Sequence, residues 1–257
     1  MPTSFHLAQG FTAAALIATG LPCILGCQKD DEPTTQTIVV YVDTMIVPPG
    51  AVADVDGNIY STTTIGSQRW MAENLRASHY RNGDPIPYVP DDAQWTSLTT
   101  GAWTNYNTDA AYDGLYGKLY NWYTLMDPRN VCPSGWHVPS DSEWMELEQI
   151  LGVPVDALDN TGPRGISANA GGQLKSLLLW DDPNTGATDL FEFSAFPGGQ
   201  RTLSGGSGDV GAKGFWWTTS EFNGSQGMLR SLASNNAGIY RFSTPKVVGA
   251  SIRCVED

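Results

Sequence analysis

Cys132, Ser134 and His137 lie within six residues of one another in the stretch CPSGWHVPSDSEW, Cys132 to Trp144. A thiol or hydroxyl beside an imidazole is the raw material of a nucleophile and its base, provided the base activates the attacking atom. Cys and His are also ligands for zinc. The chain has three histidines, His6, His79 and His137. The first falls in a segment expected to be removed, so a three-histidine metal centre is excluded. HExxH, GxSxG and a glycine-rich phosphate loop are all absent. The alternative role for His137, between Trp136 and Val138, is a partly buried and hydrogen-bonded residue.

Two further stretches carry candidate chemistry. Asp181-Asp182-Pro183-Asn184-Thr185-Gly186-Ala187-Thr188-Asp189 offers hard oxygen ligands suited to calcium. It fails the EF-hand spacing, because Phe193 stands where a bidentate Glu is required counting from Asp182. A structural calcium therefore has no motif behind it, and a solvated turn is expected. Trp216-Trp217, followed by Glu221, forms an aromatic and acidic group of the kind that stacks on sugar rings. Adjacent strand residues point to opposite faces, so at most one of the two Trp is core in a one-sided sheet; the alternative role is one Trp inside and the other covered by a loop.

The elements that must position these residues begin after a distinct N-terminal segment. Residues 1–26 contain no Asp, Glu, Lys or Arg. They are broken by Gly20 and Pro22 and fall short of the ~20 apolar residues of a comfortable membrane span. A secretory signal peptide fits. Ile24-Leu25-Gly26-Cys27 resembles a bacterial lipobox, which implies lipid attachment at Cys27 and a membrane held through acyl chains. Gln28-Lys29-Asp30-Asp31-Glu32 resembles the surface-export signal of Bacteroidetes lipoproteins, implying an outer-membrane lipoprotein that faces outward. Residues 27–50 then form the lipidated Cys and a flexible tether, with a β-branched run at Thr37–Val47, and residues 51–257 form the domain. Of four cysteines, Cys23 leaves with the signal peptide and Cys27 takes lipid. In an exported protein the remaining pair, Cys132 and Cys254, is expected to form a disulfide.

The chain carries 27 acidic against 14 basic side chains, a net charge of -13. Such a surface repels phosphate backbones and argues against nucleic acid as a partner. With 28 Gly, 16 Pro and 9 Trp, the composition suits a turn-rich domain with an aromatic core. Asp56-Gly57-Asn58 and Gly66-Ser67 predict hairpins. Residues 76–114 read as long ordered loops. Lys118–Met126 predicts a short aromatic helix. Ser140 and Glu143 form a capping box that starts a helix reaching about Leu151, with Trp144, Leu147, Ile150 and Leu151 as its apolar stripe. Ala170–Leu179 is a third helix candidate. From Phe191 onward FEFSAF, GFWWTTS, MLRSLAS, GIYRFS and VVGASIRCV predict short strands. The fold class is α+β, short helices on a twisted antiparallel sheet.

Six ordered fragments carry a family resemblance. They are Trp70–Leu75, Tyr120–Trp122, Cys132–Pro139 with Glu143-Trp144, Phe196–Gly199, Trp216–Glu221 and Ser251–Val255. Together they resemble the Fibrobacter succinogenes major paralogous domain over nearly all of residues 52–257. The resemblance implies exported or lipid-anchored proteins with no assigned activity. It also implies a C-type-lectin-like fold related to the formylglycine-generating enzymes. Those enzymes hold copper with a cysteine pair near the C-terminus, where this chain has Cys254 alone. The His-rich triad of the related iron-dependent sulfoxide synthases is missing, as are the Glu-Pro-Asn and Trp-Asn-Asp tripeptides of calcium-dependent lectins. The expected function is thus a non-catalytic binding or adhesion module with no cofactor. Glycan is the favoured ligand, with Trp216, Trp217 and Glu221 as contacts. A diverged enzyme, or a subunit of a surface protein assembly that recognises protein, is the alternative, since a shared fold does not carry its function across.

Overall fold

Local turn chemistry sets up the first sheet. In the computed structural model, which describes residues 46–257, Asp54 accepts hydrogen bonds from the backbone N–H groups of Asp56 and Asn58, at 3.0 and 2.9 Å. Gly57 sits at φ +83°, a conformation that favours glycine. This turn joins Ala51–Ala53 to Ile59–Ile65 as antiparallel strands. Gly66-Ser67 then returns the chain into Gln68–Met71. Val255–Glu256 pairs beside that strand and Trp136–His137 beside it in turn, completing five strands. Val255 stands opposite both Trp70 and His137. Cys132 and Cys254 are joined by a disulfide with Cα atoms 6.1 Å apart.

A second, four-stranded antiparallel sheet runs in the order Lys213–Asn223, Gln226–Ala233, Ile239–Pro245, Gly162–Arg164. Its alternation obeys the strand period, yet both faces are covered. Phe215, Trp217 and Leu229 join one core with Tyr120, Trp122 and the disulfide. Trp216, Leu232 and Ile239 join another with Trp70, Trp144, Leu147 and Phe193. The sheet is not one-sided, so both tryptophans are inside and neither is free for a ligand. Trp216 is 1% exposed and Trp217 0%.

The helix Asp141–Ile150 packs on the Trp216 face. Its capping box is complete: Ser140 Oγ accepts from the Glu143 N–H, and the Glu143 carboxylate accepts from the Ser140 N–H. Trp144, Leu147 and the following Leu151 are buried, but Ile150 is exposed. Its expected place on the inner stripe goes to Glu148, 0% exposed. That carboxylate accepts from Arg230 Nε at 2.5 Å and from Arg164. Asp141 at the helix start binds Arg230 at 2.5 Å and Arg241 at 2.7 Å. Burial pushes the Glu148 carboxyl up, against the pull of Arg230 and Arg164.

Other expected elements differ. Lys118–Met126 divides into the strand Leu119–Tyr120 and the four-residue helix Trp122–Leu125, because Asn121 caps the latter by accepting from the Thr124 N–H. Ala170–Leu179 is not helical. The N–H groups of Gly171 and Gly172 both donate to the Ala237 carbonyl. A Cβ on Gly171 would stand 2.3 Å from the Gly238 oxygen, so this close backbone approach replaces a helix. FEFSAF is not a strand: Glu192 and Ser194 take positive φ, and the Phe193 and Ser194 carbonyls accept from buried Arg253. Residues 1–26, Cys27 and the Thr37–Val47 run before Ile46 lie outside the described residues.

Glu148→Ala would leave Arg164 and Arg230 buried without their shared carboxylate. Urea denaturation is expected to show a loss of about 3–5 kcal/mol; a change within experimental error would show that the helix and sheet do not depend on this group.

Candidate ligand-binding site

The Cys132–His137 cluster is spent on structure. Cys132 is in the disulfide, so it offers no thiolate. His137 is half-buried and both its ring nitrogens are engaged: Nδ1 with Asp257 at 2.7 Å and Nε2 with Glu143 at 2.6 Å. No ring nitrogen is left to serve as a base. Burial opposes the imidazolium, but the hydrogen bonds to Asp257 and Glu143 prevail and raise its pKa. Against its own burial, hydrogen bonds from the Ser140 N–H and hydroxyl, and then the contact with His137, lower that of Glu143. Ser134 is exposed in the turn. Arg81, from the long loop, gathers the carbonyls of Cys132, Pro133 and Trp136 and so locks the turn from outside. Nothing in the local sequence marks Arg81 for this task.

Trp216, Trp217 and Glu221 do not form the expected contact surface. The indole N–H of Trp216 donates to Asn74 Oδ1 and that of Trp217 to the Tyr120 carbonyl, both at 2.8 Å. Glu221 is exposed but ion-paired with Lys246 at 3.1 Å. Its neighbours on the strand are Ser220 and the exposed Phe222, whereas both indoles are sealed inside.

The Asp181–Asp189 loop meets a cation of the protein's own through Thr185. Lys175, 0% exposed, donates from Nζ to the carbonyls of Thr185 at 2.8 Å, Ala233 at 3.0 Å and Asn236 at 3.2 Å. Burial pulls its pKa down to about 8. The Asp189 carboxylate accepts from the N–H and hydroxyl of Ser194. Among the described residues, no group of three or more His, Cys, Asp or Glu side chains is placed to hold a metal.

The open aromatic feature lies one residue from the expected one. Phe215 is paired across the sheet with Ser231, and Ser231 with Tyr240; Lys213 pairs with Ala233 and Leu229 with Phe242. Small side chains at Ser231 and Ala233 thus form a floor between the walls of Phe215 on one strand and Tyr240 and Phe242 on the other. The resulting trough has a volume of about 310 Å³. Phe215 is buried, Tyr240 and Phe242 are half-buried. The Phe215 and Phe242 rings meet edge-on with centroids 6.4 Å apart. Lys213 and Asn235 supply the polar rim, with Lys213 held by Asp209 at 3.2 Å. This arrangement can stack an apolar ring face and bond to its edge, and its lining holds no thiol, imidazole or carboxylate.

A second hollow of about 500 Å³ is lined by Glu73, Arg76, Asp189, Glu192 and Leu115 among others. Two of its carboxylates are already committed, Glu73 to Arg76 and the Ser61 N–H, and Asp189 to Ser194. It lacks a paired aromatic wall.

The sign of the His137 contribution follows from its raised pKa. Stability from this clamp is full below the ordinary imidazole value of 6.5 and is lost as pH rises through the higher folded value. The urea midpoint is therefore expected to fall as pH rises above the ordinary imidazole value of 6.5, and His137→Gln to flatten that decline. Parallel pH profiles for both proteins would refute the clamp.

The family model for the Fibrobacter succinogenes major domain matches residues 63–256. No curated protein and no solved structure matches the chain. The match covers the strand Gln68–Met71, the disulfide, the capped helix and all three long strands of the second sheet. The chain belongs to the Fibrobacter succinogenes major domain family.

Proposed function

We propose that this chain is a surface-anchored, non-catalytic binding module, that its ligand class is glycan, and that the trough of Phe215, Tyr240 and Phe242 is the contact site. The observation that carries this reading is the pair of half-buried rings standing beside a floor of small side chains. The C–H face of a sugar ring is apolar and slightly positive, so it rests on the negative face of an aromatic ring. The hydroxyls at its edge then bond to polar groups such as those of Lys213 and Asn235. Concave, largely apolar sites with a few convergent polar groups are the usual form of small-ligand sites. A net charge of -13 favours neutral or weakly charged ligands over polyanions.

The same reading assigns the fold to the C-type-lectin-like class, supported by the order of the six sequence fragments. It places the lipid on Cys27 and the domain outside the outer membrane, supported by the residues that surround Cys27.

A glycan array probed with the purified domain is expected to give a defined set of binders. Tyr240→Ala and Phe242→Ala are each expected to weaken them by roughly tenfold, about 1.4 kcal/mol. A blank array, or binders that ignore both substitutions, would remove the trough as a glycan site. On cells, protease shaving is expected to remove the domain, and Cys27→Ser to release the chain from the membrane fraction.

A further inference from the structure

The register that builds the trough also closes one end of it. Side chains opposite one another on paired strands share a face and form rows across it. Trp217, Leu229 and Phe242 make the first row, Phe215, Ser231 and Tyr240 the second, and Lys213 with Ala233 the third. The first row is a wall. Trp217 and Leu229 are buried there, and the Phe242 ring meets Phe215 edge-on with centroids 6.4 Å apart. The third row is the mouth, where Lys213 and Asn235 are both exposed. Polarity changes in the same direction. At the closed end the Trp217 indole N–H is already given to the Tyr120 carbonyl at 2.8 Å, and Leu229 and the two Phe rings carry no hydrogen-bonding group. The backbone of the floor is taken up by the strands on either side. Midway, Ser231 Oγ makes a long bond of 3.4 Å to the Leu232 carbonyl and can still accept. At the mouth, Lys213 gives one N–H to Asp209 at 3.2 Å, so this ion pair offers further donors without net charge.

We infer that the trough takes the terminal ring of a glycan chain, and that this ring is a 6-deoxyhexose whose methyl group enters first. The inference rests on the glycan reading of the same trough and names the sugar class. A closed end admits the end of a chain. It excludes a ring linked on both sides, because the second linkage would run into the wall of Leu229 and Phe242. The volume of about 310 Å³ stands at the lower limit for small-ligand sites, about 300–1,000 Å³, and suits a single ring. The methyl group follows from the polarity. A hydroxymethyl group pushed to the closed end would leave water and find no partner. A methyl group there lies against Phe215 and Phe242 with nothing left unbonded. The hydroxyls on the other side of the ring then reach Ser231, Lys213 and Asn235, while its C–H face rests on Tyr240.

The test is titration of the full chain with matched methyl glycosides that differ only by the hydroxyl at C6. The pairs are L-fucoside against L-galactoside and L-rhamnoside against L-mannoside. In at least one pair the deoxy sugar is expected to bind about tenfold or more tightly than its partner. On an array, oligosaccharides that end in that ring are expected to bind, and those that carry it inside the chain are not. Phe242→Ala opens the closed end and is expected to abolish both preferences. The wild-type comparisons need no variant, so they decide the matter even if Phe242→Ala fails to fold. Equal binding within both pairs, or equal binding of internal and terminal rings, would overturn the inference and leave the glycan reading in place. Preferences that survive both Phe242→Ala and Tyr240→Ala in folded protein would also overturn it, by placing the sugar elsewhere. No binding by any glycoside or array glycan would remove the glycan reading and this inference with it.

Discussion

A sheet covered on both faces is the constraint on which the rest of this molecule depends. Each polar group that its inner strands carry inward must find a partner within the protein, because water does not reach it. Arg230 meets Glu148 and Asp141 on the capped helix. Trp216 hands its indole N–H to Asn74, and the same Asn74 oxygen accepts from buried Arg253. Thr218 bonds to the Met228 carbonyl across the strand pair. Helix, sheet and C-terminal segment are thereby held by directed contacts as well as by apolar burial. Three guanidinium groups, Arg164, Arg230 and Arg241, surround the two carboxylates of Glu148 and Asp141. Such a cluster specifies how the layers meet more than it adds net stability.

The second consequence of a two-sided core is that little of its aromatic surface is left for ligands. The exception is the end of the sheet where Ser231 and Ala233 occupy the central strand. Side chains that small cannot fill the space between flanking rings, and the trough results. At the opposite extreme, the leucines at 177–179 stand exposed between buried Ser176 and Trp180. One feature is a local deficit of apolar volume and the other an excess, and both follow from fitting a loop-rich chain around a fixed sheet.

The stretch from Cys132 to Trp144 shows how reactive residue types become structural. Its cysteine closes the disulfide with Cys254. Its histidine is clamped between two carboxylates, one of them on the helix capping residue Glu143 and the other on Asp257. Trp136 is buried, and Ser140 begins the helix. Each member is used where strand, turn, helix and C-terminal strand converge.

What could be read from the sequence is what depends on neighbours in the chain. The hairpin turns at Gly57 and Gly66, the Ser140–Glu143 capping box and the long strands containing GFWWTTS, MLRSLAS and GIYRFS all arise from interactions over a few residues. The Cys132–Cys254 pair was legible by elimination, and the family by the order of its fragments. The disposition of Trp216 and Trp217 was not, because alternation states that adjacent side chains oppose one another without stating whether the second face is covered. Nor was the exchange of Ile150 for Glu148 on the buried side of the helix, since Arg164 and Arg230 come from distant segments. The trough required the register that sets Phe215 beside Ser231 and Tyr240. Local sequence determined the hairpin turns, the helix cap and the long strands of the second sheet; only the tertiary structure decided which surfaces those elements leave open, because burial depends on what the rest of the chain packs against them.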